Sequence, residues 1–369
     1  MKKALSLIAI LLIAALVLGA CTSTPDAPAA PDAPVAPATP GPEPIEPSGD
    51  LPVVGISTGS SGTSWRNIMI NAIEEVGNEY IEAGIISDFR IVNNVTNGDA
   101  TEQANIIRDF IAQGVDIILI NPNSPDALNG AIAEAQEAGI LVVSMDATVT
   151  APDVVNITLD HYAWNRRNVE YFAEALGSGS VIQIFGLDGH PANNDRVQAT
   201  DDVLALHPDI EMISSTSGGW DQAVAKDVTL QIIGGGRQID GVLTQDGMAL
   251  GVLSAFQDND LLPRVMFGDP GTAFFREWYE LREAGADFRA FTQPNPPGIA
   301  GTAFRIAVSL WEGREFLPGV LDGNTLYYQV ASFFTDENFE EAWAMLRDQP
   351  DDYLLSEIMS QADVDALFR

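Results

Sequence analysis

The 369-residue chain has one cysteine and three histidines, and its lysines are only Lys2, Lys3 and Lys226. A single cysteine excludes an intrachain disulfide and a Cys-ligated zinc site. No Gly-Lys-Ser/Thr occurs, which excludes a phosphate-binding P-loop. Basic charge is scarce altogether: 18 Lys and Arg stand against 52 Asp and Glu, a formal net charge of −34. Such a surface repels phosphate backbones and anionic membranes, so nucleic acid is not an expected partner. The histidines, His161, His190 and His207, are scattered and no His-Glu-x-x-His occurs. No metal site and no cofactor are expected. Beyond the N-terminus no apolar run approaches the ~20 residues that a bilayer span needs.

What is present begins with a processing signal. Lys2 and Lys3 precede an apolar run from Ala4 to Val17, followed by Leu18-Gly19-Ala20-Cys21. A basic start, a short apolar core and small residues before a cut site describe a secretory signal over residues 1–20. Leu-Gly-Ala-Cys resembles the bacterial lipobox, which implies lipidation of Cys21 and an anchor on the outer face of the cytoplasmic membrane. The alternatives are an ordinary signal peptide with an incidental cysteine, or an uncleaved anchor. Residues 21–50 form a linker with proline every two to four residues and no aromatic side chain. It cannot bury a core, and at ~3.1 Å per residue it would hold a domain away from a membrane.

From Leu51 onward short Val/Ile-rich runs alternate with helix-period segments. Strands are expected at Val53–Ser57, Phe89–Asn93, Ile117–Ile120, Ile140–Met145, Val154–Thr158, Val181–Phe185, Ile210–Ser214, Gly241–Thr244, Val265–Phe267 and Arg289–Thr292. Met69, Ala72, Ile73, Val76 and Tyr80 recur at steps of three and four, one apolar helix face. A helix is expected at Pro297–Trp311, a strand around Leu326–Val330 and helices from Glu337 on. Continuous apolar strands suit parallel sheets buried on both faces, and the β-α order implies right-handed crossovers. About five strands precede Asp160 and about five follow it, so two doubly wound α/β lobes are expected.

Ligands of open α/β sheets bind beyond the C-terminal ends of strands. Those ends carry Trp65 and Arg66, then Asn121, Asp146, Arg196, Trp220, Gln245 with Asp246, Asp269 and Gln293. Carboxylates accept, amides accept and donate, and Arg donates in a rigid fork, a set that suits the hydroxyls of a polyol while an aromatic covers a ring face. Any one Asp or Asn there could instead be a helix cap or turn residue. Pro122 ends the third strand, and the Asn121 amide is expected to stand free in the cleft for a solute hydroxyl. The glycine-rich loop after the first strand lacks Gly-x-Gly-x-x-Gly spacing, and no nucleophile elbow is read in the chain. Paired carboxylates would serve a glycosidase, but no pair is singled out.

The segments "VVGISTGSSGTSWRNIM", "GVDIILINPNSPDALNGAIAEAQEAGILVVSMDA" and "GVLTQDGMALGVLSAF" resemble the type I periplasmic sugar-binding proteins of ABC transporters, which share their fold with LacI-type repressor cores. The resemblance runs from about Val53 to Asn295. It implies two lobes joined by three crossovers, near Asp160, Gln293 and Tyr327, with one ligand between them. The lobes would comprise 51–160 plus 294–326 and 161–293 plus 327–369. It implies ligand contacts from the ten strand-end residues named above, Arg196 and Trp220 from the second lobe among them. One departure is Ala147, where the ribose-binding type carries arginine; Arg66 is in position to replace that donor. The implied function is a non-enzymatic, monomeric solute receptor that captures a small carbohydrate-like solute and delivers it to a membrane permease. The alternative is a receptor for a nucleoside or furanone-type signal, or a ligand-presenting partner of a sensor kinase.

Overall fold

The computed structural model describes residues 51–59, 63–95 and 98–369. The expected signal peptide, Cys21 and the linker lie outside the described residues. The chain starts with β1 (Val53–Ser57), α1 (Ser64–Glu82), β2 (Asp88–Val92), α2 (Ala100–Gln113), β3 (Ile117–Ile120), α3 (Asn129–Glu137), β4 (Leu141–Asp146) and β5 (Val155–Thr158). It continues with α4 (His161–Leu176), β6 (Gly179–Phe185), α5 (Pro191–Leu204), β7 (Ile210–Ser217), α6 (Gln222–Gly234), β8 (Gly241–Leu243), α7 (Ala249–Gln257), β9 (Val265–Phe267), α8 (Thr272–Glu283) and β10 (Arg289–Thr292). Then follow α9 (Ile299–Trp311), β11 (Thr325–Tyr327), β12 (Phe334–Thr335), α10 (Phe339–Leu346) and α11 (Gln361–Asp365).

The strands form two six-stranded sheets, β11-β5-β4-β3-β1-β2 and β12-β10-β9-β8-β6-β7. Every pairing is parallel except β10 with β12. The doubly wound α/β architecture is thus the one expected. β12 was not foreseen, because two residues are too few to carry a period.

The four apolar residues of β3 explain why such strands read as continuous runs. Ile117 and Leu119 pack on the face covered by α1 and α9, with Met69, Ile73 and Phe304. Ile118 and Ile120 pack on the opposite face, with Ile107, Phe110 and Ile132 from α2 and α3. Period-2 alternation with both faces buried leaves no place for a polar residue. Local signals agree with the helices between the strands. Asp99 caps α2 by accepting from the backbone N–H groups of Thr101 and Glu102, and Gly114 ends it at φ 72°. Both are favoured chemistries for those positions.

The chain passes from one sheet to the other at 159–160, back at 293–298 and out again at 328–333. It then returns a fourth time, which departs from the expectation that all of 327–369 packs in the second lobe. Leu355 N–H donates to Pro270 O in the second lobe at 2.9 Å, whereas Met359 N–H donates to Thr302 Oγ1 of α9 at 2.9 Å. Beyond this point Gln361 bonds Tyr80, and Val364 and Phe368 join the apolar cluster that includes Tyr80 and Phe304. The physical reason is packing: two apolar side chains on a five-residue helix find an apolar surface beside α9. That is too short a pattern to assign from periodicity.

Candidate functional site

A cleft of about 480 Å3 lies between the C-terminal ends of the two sheets. Its lips meet where Gly98, after β2, approaches Leu187, after β6; a Cβ on Gly98 would lie 2.6 Å from Leu187 Cδ2. Of the ten expected ligand contacts, Trp65, Arg66, Asp146, Arg196, Trp220 and Asp246 line this cleft. Asn121, Gln245, Asp269 and Gln293 do not; each is spent behind it.

The Asn121 expectation is corrected most clearly. The residue is 0% exposed. Its Oδ1 accepts from Arg66 Nη1 at 2.7 Å, and its Nδ2 donates to Met145 O at 3.0 Å and to Asp146 Oδ2 at 3.1 Å. Its backbone N–H extends the ladder to Ser57 O at 2.9 Å, and its carbonyl accepts from Gln103 Nε2 at 2.8 Å. The amide therefore positions an arginine and a carboxylate and has nothing left for a solute. Gln245 likewise accepts from Trp220 Nε1 at 3.0 Å and donates to Asn193 Oδ1 at 3.0 Å. Gln293 accepts from Asn168 Nδ2 at 3.3 Å and donates to Val330 O at 3.4 Å, a bond at the crossover. Asp269 accepts from the N–H groups of Gly247 and Ala249, both at 2.9 Å, and so holds the loop that carries Asp246. Burial, with Asp246 adding, pushes its carboxyl up to about 7. Helix α3 also starts later than expected: Ser124 caps only a turn, accepting from Asp126 and Ala127, and the helix begins at Asn129.

Around the cleft these groups form one connected network. The backbone carbonyl of Asp146 accepts from His161 Nε2 at 2.7 Å and from Thr158 Oγ1 at 2.5 Å. A carbonyl only accepts, so Nε2 carries the imidazole proton and Nδ1 is left to accept. It does so from the Arg196 guanidinium, 3.2 Å from Nη2 and 3.4 Å from Nε. Burial, and then Arg196, holds His161 well below the usual imidazole range, in keeping with that neutral tautomer. Arg196 Nη1 reaches Asp246 Oδ2 at 2.6 Å, and its Cζ lies 4.6 Å from the Trp164 ring centroid. Asp246 Oδ2 also accepts from Asn295 Nδ2 at 3.1 Å. Trp65 is fixed by its Nε1 donating to Asn295 O at 2.7 Å. Burial pushes the Asp146 carboxyl up, opposed by Arg196 and Arg66. Burial lowers Arg66 to about 10, with Asp146 opposing.

Two lining residues hold left-handed backbone without being glycine: Asp146 at φ 65° and Trp220 at φ 57°. For a tryptophan that conformation is costly, and such strain concentrates at functional sites. Gly186 makes room for the indole, since a Cβ there would sit 2.1 Å from Trp220 Cε2.

His190 and Asn295 also line the cleft, and neither was singled out from the sequence. Both obey the rule that found the others. His190 stands in the loop after β6, just before α5, and Asn295 stands just after β10, between prolines. His190 is 2% exposed, and its ring meets Trp220 edge-to-face at 4.8 Å. Among the described residues, Asp146 Oδ1, Asn295 Oδ1 and both ring nitrogens of His190 have no hydrogen-bond partner.

Burial, then Arg66 and Arg196, lowers His190 to about 3 from 6.5. Between those values the unfolded chain binds a proton that the folded one does not, so this group's contribution to stability is lost as pH falls. Relative to His190→Phe, the native protein should lose about 2 kcal/mol between pH 7 and pH 5. Urea unfolding at the two pH values measures the difference; a gap independent of pH would contradict a buried neutral imidazole.

Gly55-Ile56-Ser57-Thr58-Gly59 does have Gly-x-Ser-x-Gly spacing, contrary to the expectation that the chain holds no such stretch. Ser57 is fully buried inside β1, and its Oγ accepts from Gln103 Nε2 at 3.3 Å. A nucleophile elbow instead presents its serine at a sharp turn in the open. No group of His, Cys, Asp and Glu among the described residues could hold a metal ion. None of their helices is long and apolar enough to cross a membrane.

Residues 54–315 match the family described as periplasmic binding protein domain. A xylitol-binding protein of Mycolicibacterium smegmatis is 33% identical over 177 residues, which are 47% of this chain and 50% of that protein. A ribose import binding protein of Salmonella typhimurium is 30% identical over 185 residues, 49% of this chain and 62% of that protein. The chain thus spans about half the length of the first of these curated relatives and under two thirds of the second. An ABC transporter solute-binding protein from Thermobispora bispora superposes with a TM-score of 0.76 at 24% identity, covering 85% of this chain and 94% of that one. That likeness establishes the shared fold.

Proposed function

The chain belongs to the periplasmic binding protein domain family, and from that premise we propose that it captures a small neutral sugar or polyol between its lobes and hands it to a membrane permease. The observation that carries this reading is the chemistry left over in the cleft. Arg66 and Arg196 are engaged with Asn121 and Asp246, while the unpartnered buried atoms are carboxylate and amide oxygens and an imidazole. Such a surface asks for O–H donors and offers an anion no unengaged cation. A buried acceptor left unpaired costs about 1–3 kcal/mol, so a ligand that supplies hydroxyls is selected over one that does not. Half-buried Trp220 gives an apolar ring something to lie against.

No bond is made or broken in this scheme. Ligand favours the closed arrangement because its contacts, Asp146 on one lobe and Arg196, Trp220 and Asp246 on the other, come together only there. Export, lipidation at Cys21 and a tether of about thirty residues belong to the same proposal; a proline-rich segment of that length reaches several nanometres. A thermal-shift panel of pentoses, hexoses, polyols and nucleosides tests it. Binding to the folded state raises the melting temperature by mass action, so one class of neutral polyhydroxyl compound should stand out. A shift with nucleosides alone would overturn the sugar reading, and turnover of any compound would overturn the non-enzymatic one.

A further inference from the structure

Nothing within the fold uses the ring nitrogens of His190. The residue precedes Pro191 at the first turn of α5, yet makes no side-chain cap bond. Its main chain is already satisfied: the N–H donates to Leu187 O at 3.2 Å and the carbonyl accepts from Asn194 N–H at 3.0 Å. The ring is buried, lines the cleft, and leaves both nitrogens without partners, while the edge-to-face contact with Trp220 fixes its plane. A neutral imidazole presents one N–H donor and one lone pair. A hydroxyl is the small group that can answer either. Asp146 Oδ1 and Asn295 Oδ1, also unpartnered, can only accept.

We propose that His190 is a specificity-determining ligand contact, reading a hydroxyl of the bound polyol beside Trp220 while Asp146 and Asn295 take the protons of others. This rests on the sugar or polyol reading above and narrows it to ligands with at least three hydroxyls spread along one edge. Burial together with Arg66 and Arg196 keeps the ring uncharged, so it acts by hydrogen-bond geometry and not by charge.

The rival role is packing: His190 as a wedge that only holds Trp220. Titration calorimetry with xylitol, D-ribose, D-allose and myo-inositol separates the two, using the native protein, His190→Phe and His190→Gln. Phenylalanine keeps the ring edge and removes both nitrogens; glutamine keeps a donor and an acceptor. The expected result is tight binding of at least one compound to the native protein. His190→Phe should then bind it at least 20-fold more weakly, and His190→Gln should recover part of that loss. Equal affinity of native protein and His190→Phe overturns the inference and leaves the sugar reading standing. Failure of the native protein to bind any of the four, with a ligand of another class found, overturns both. A readout on the native protein covers a variant that does not fold. Of the three histidines, only His190 should show ring-nitrogen NMR shifts moving by several parts per million on saturation, and unmoved shifts would overturn the inference.

Discussion

Replacing Arg196 by methionine should abolish measurable solute binding and destabilise the folded chain by about 3 kcal/mol, since removing one partner of a buried ion pair strands the other. Arg196 is 1% exposed and serves three neighbours at once: the Asp246 carboxylate, His161 Nδ1 and the face of Trp164. Methionine keeps much of the apolar contact with Trp164 and removes both polar ones. Asp246 retains its bond from Asn295, which limits the damage and permits a second test. Adding Asp246→Asn to the methionine variant removes the stranded charge and should recover part of the stability, a coupling that a double-mutant cycle reads directly. Urea midpoints of the four proteins decide it; strictly additive losses would mean that the 2.6 Å pair is not coupled.

Asp146→Asn should show the opposite division, with binding lost and the fold kept. Asparagine tolerates the left-handed backbone that Asp146 adopts at φ 65°, so the change adds little strain. Burial already pushes this carboxyl up, so a neutral amide is an acceptable replacement in the unliganded protein. What disappears is the charge facing Arg66 and Arg196 and the acceptor at Oδ1, which has no partner among the described residues. A charged hydrogen bond of that kind contributes about 1.5–3 kcal/mol, so affinity should fall about 100-fold by calorimetry. The melting temperature without ligand should stay within a few degrees. Unchanged affinity would remove Asp146 from the site.

The architecture was legible because burial on both faces leaves an unmistakable mark. The run Ile117–Ile120 could only be a central strand, and β1, β9 and β10 stand where their apolar runs do. The tail was not legible, since Val364 and Phe368 are too few to form a pattern, and only the position of α9 determines where they bury. The site was legible in position more than in role. Strand ends located the cleft, and six of the residues named there line it. A one-dimensional reading could not say which way an amide points. Asn121 and Gln245 sit where ligand contacts belong, but each is absorbed by a neighbour distant in sequence: Arg66 and Asp146 for the first, Trp220 and Asn193 for the second. His190 escaped notice because a lone histidine carries no periodic signal. Its significance lies in what it fails to bond, and that is visible only in three dimensions.

The most direct test is native mass spectrometry of the full chain as it leaves purification, followed by release and identification of whatever it carries. The account predicts one small neutral polyhydroxyl compound per chain, displaced by the sugar or polyol that raises the melting temperature and absent from Asp146→Asn. A phosphorylated compound, a purine, or a ligand retained at full occupancy by Asp146→Asn would contradict it.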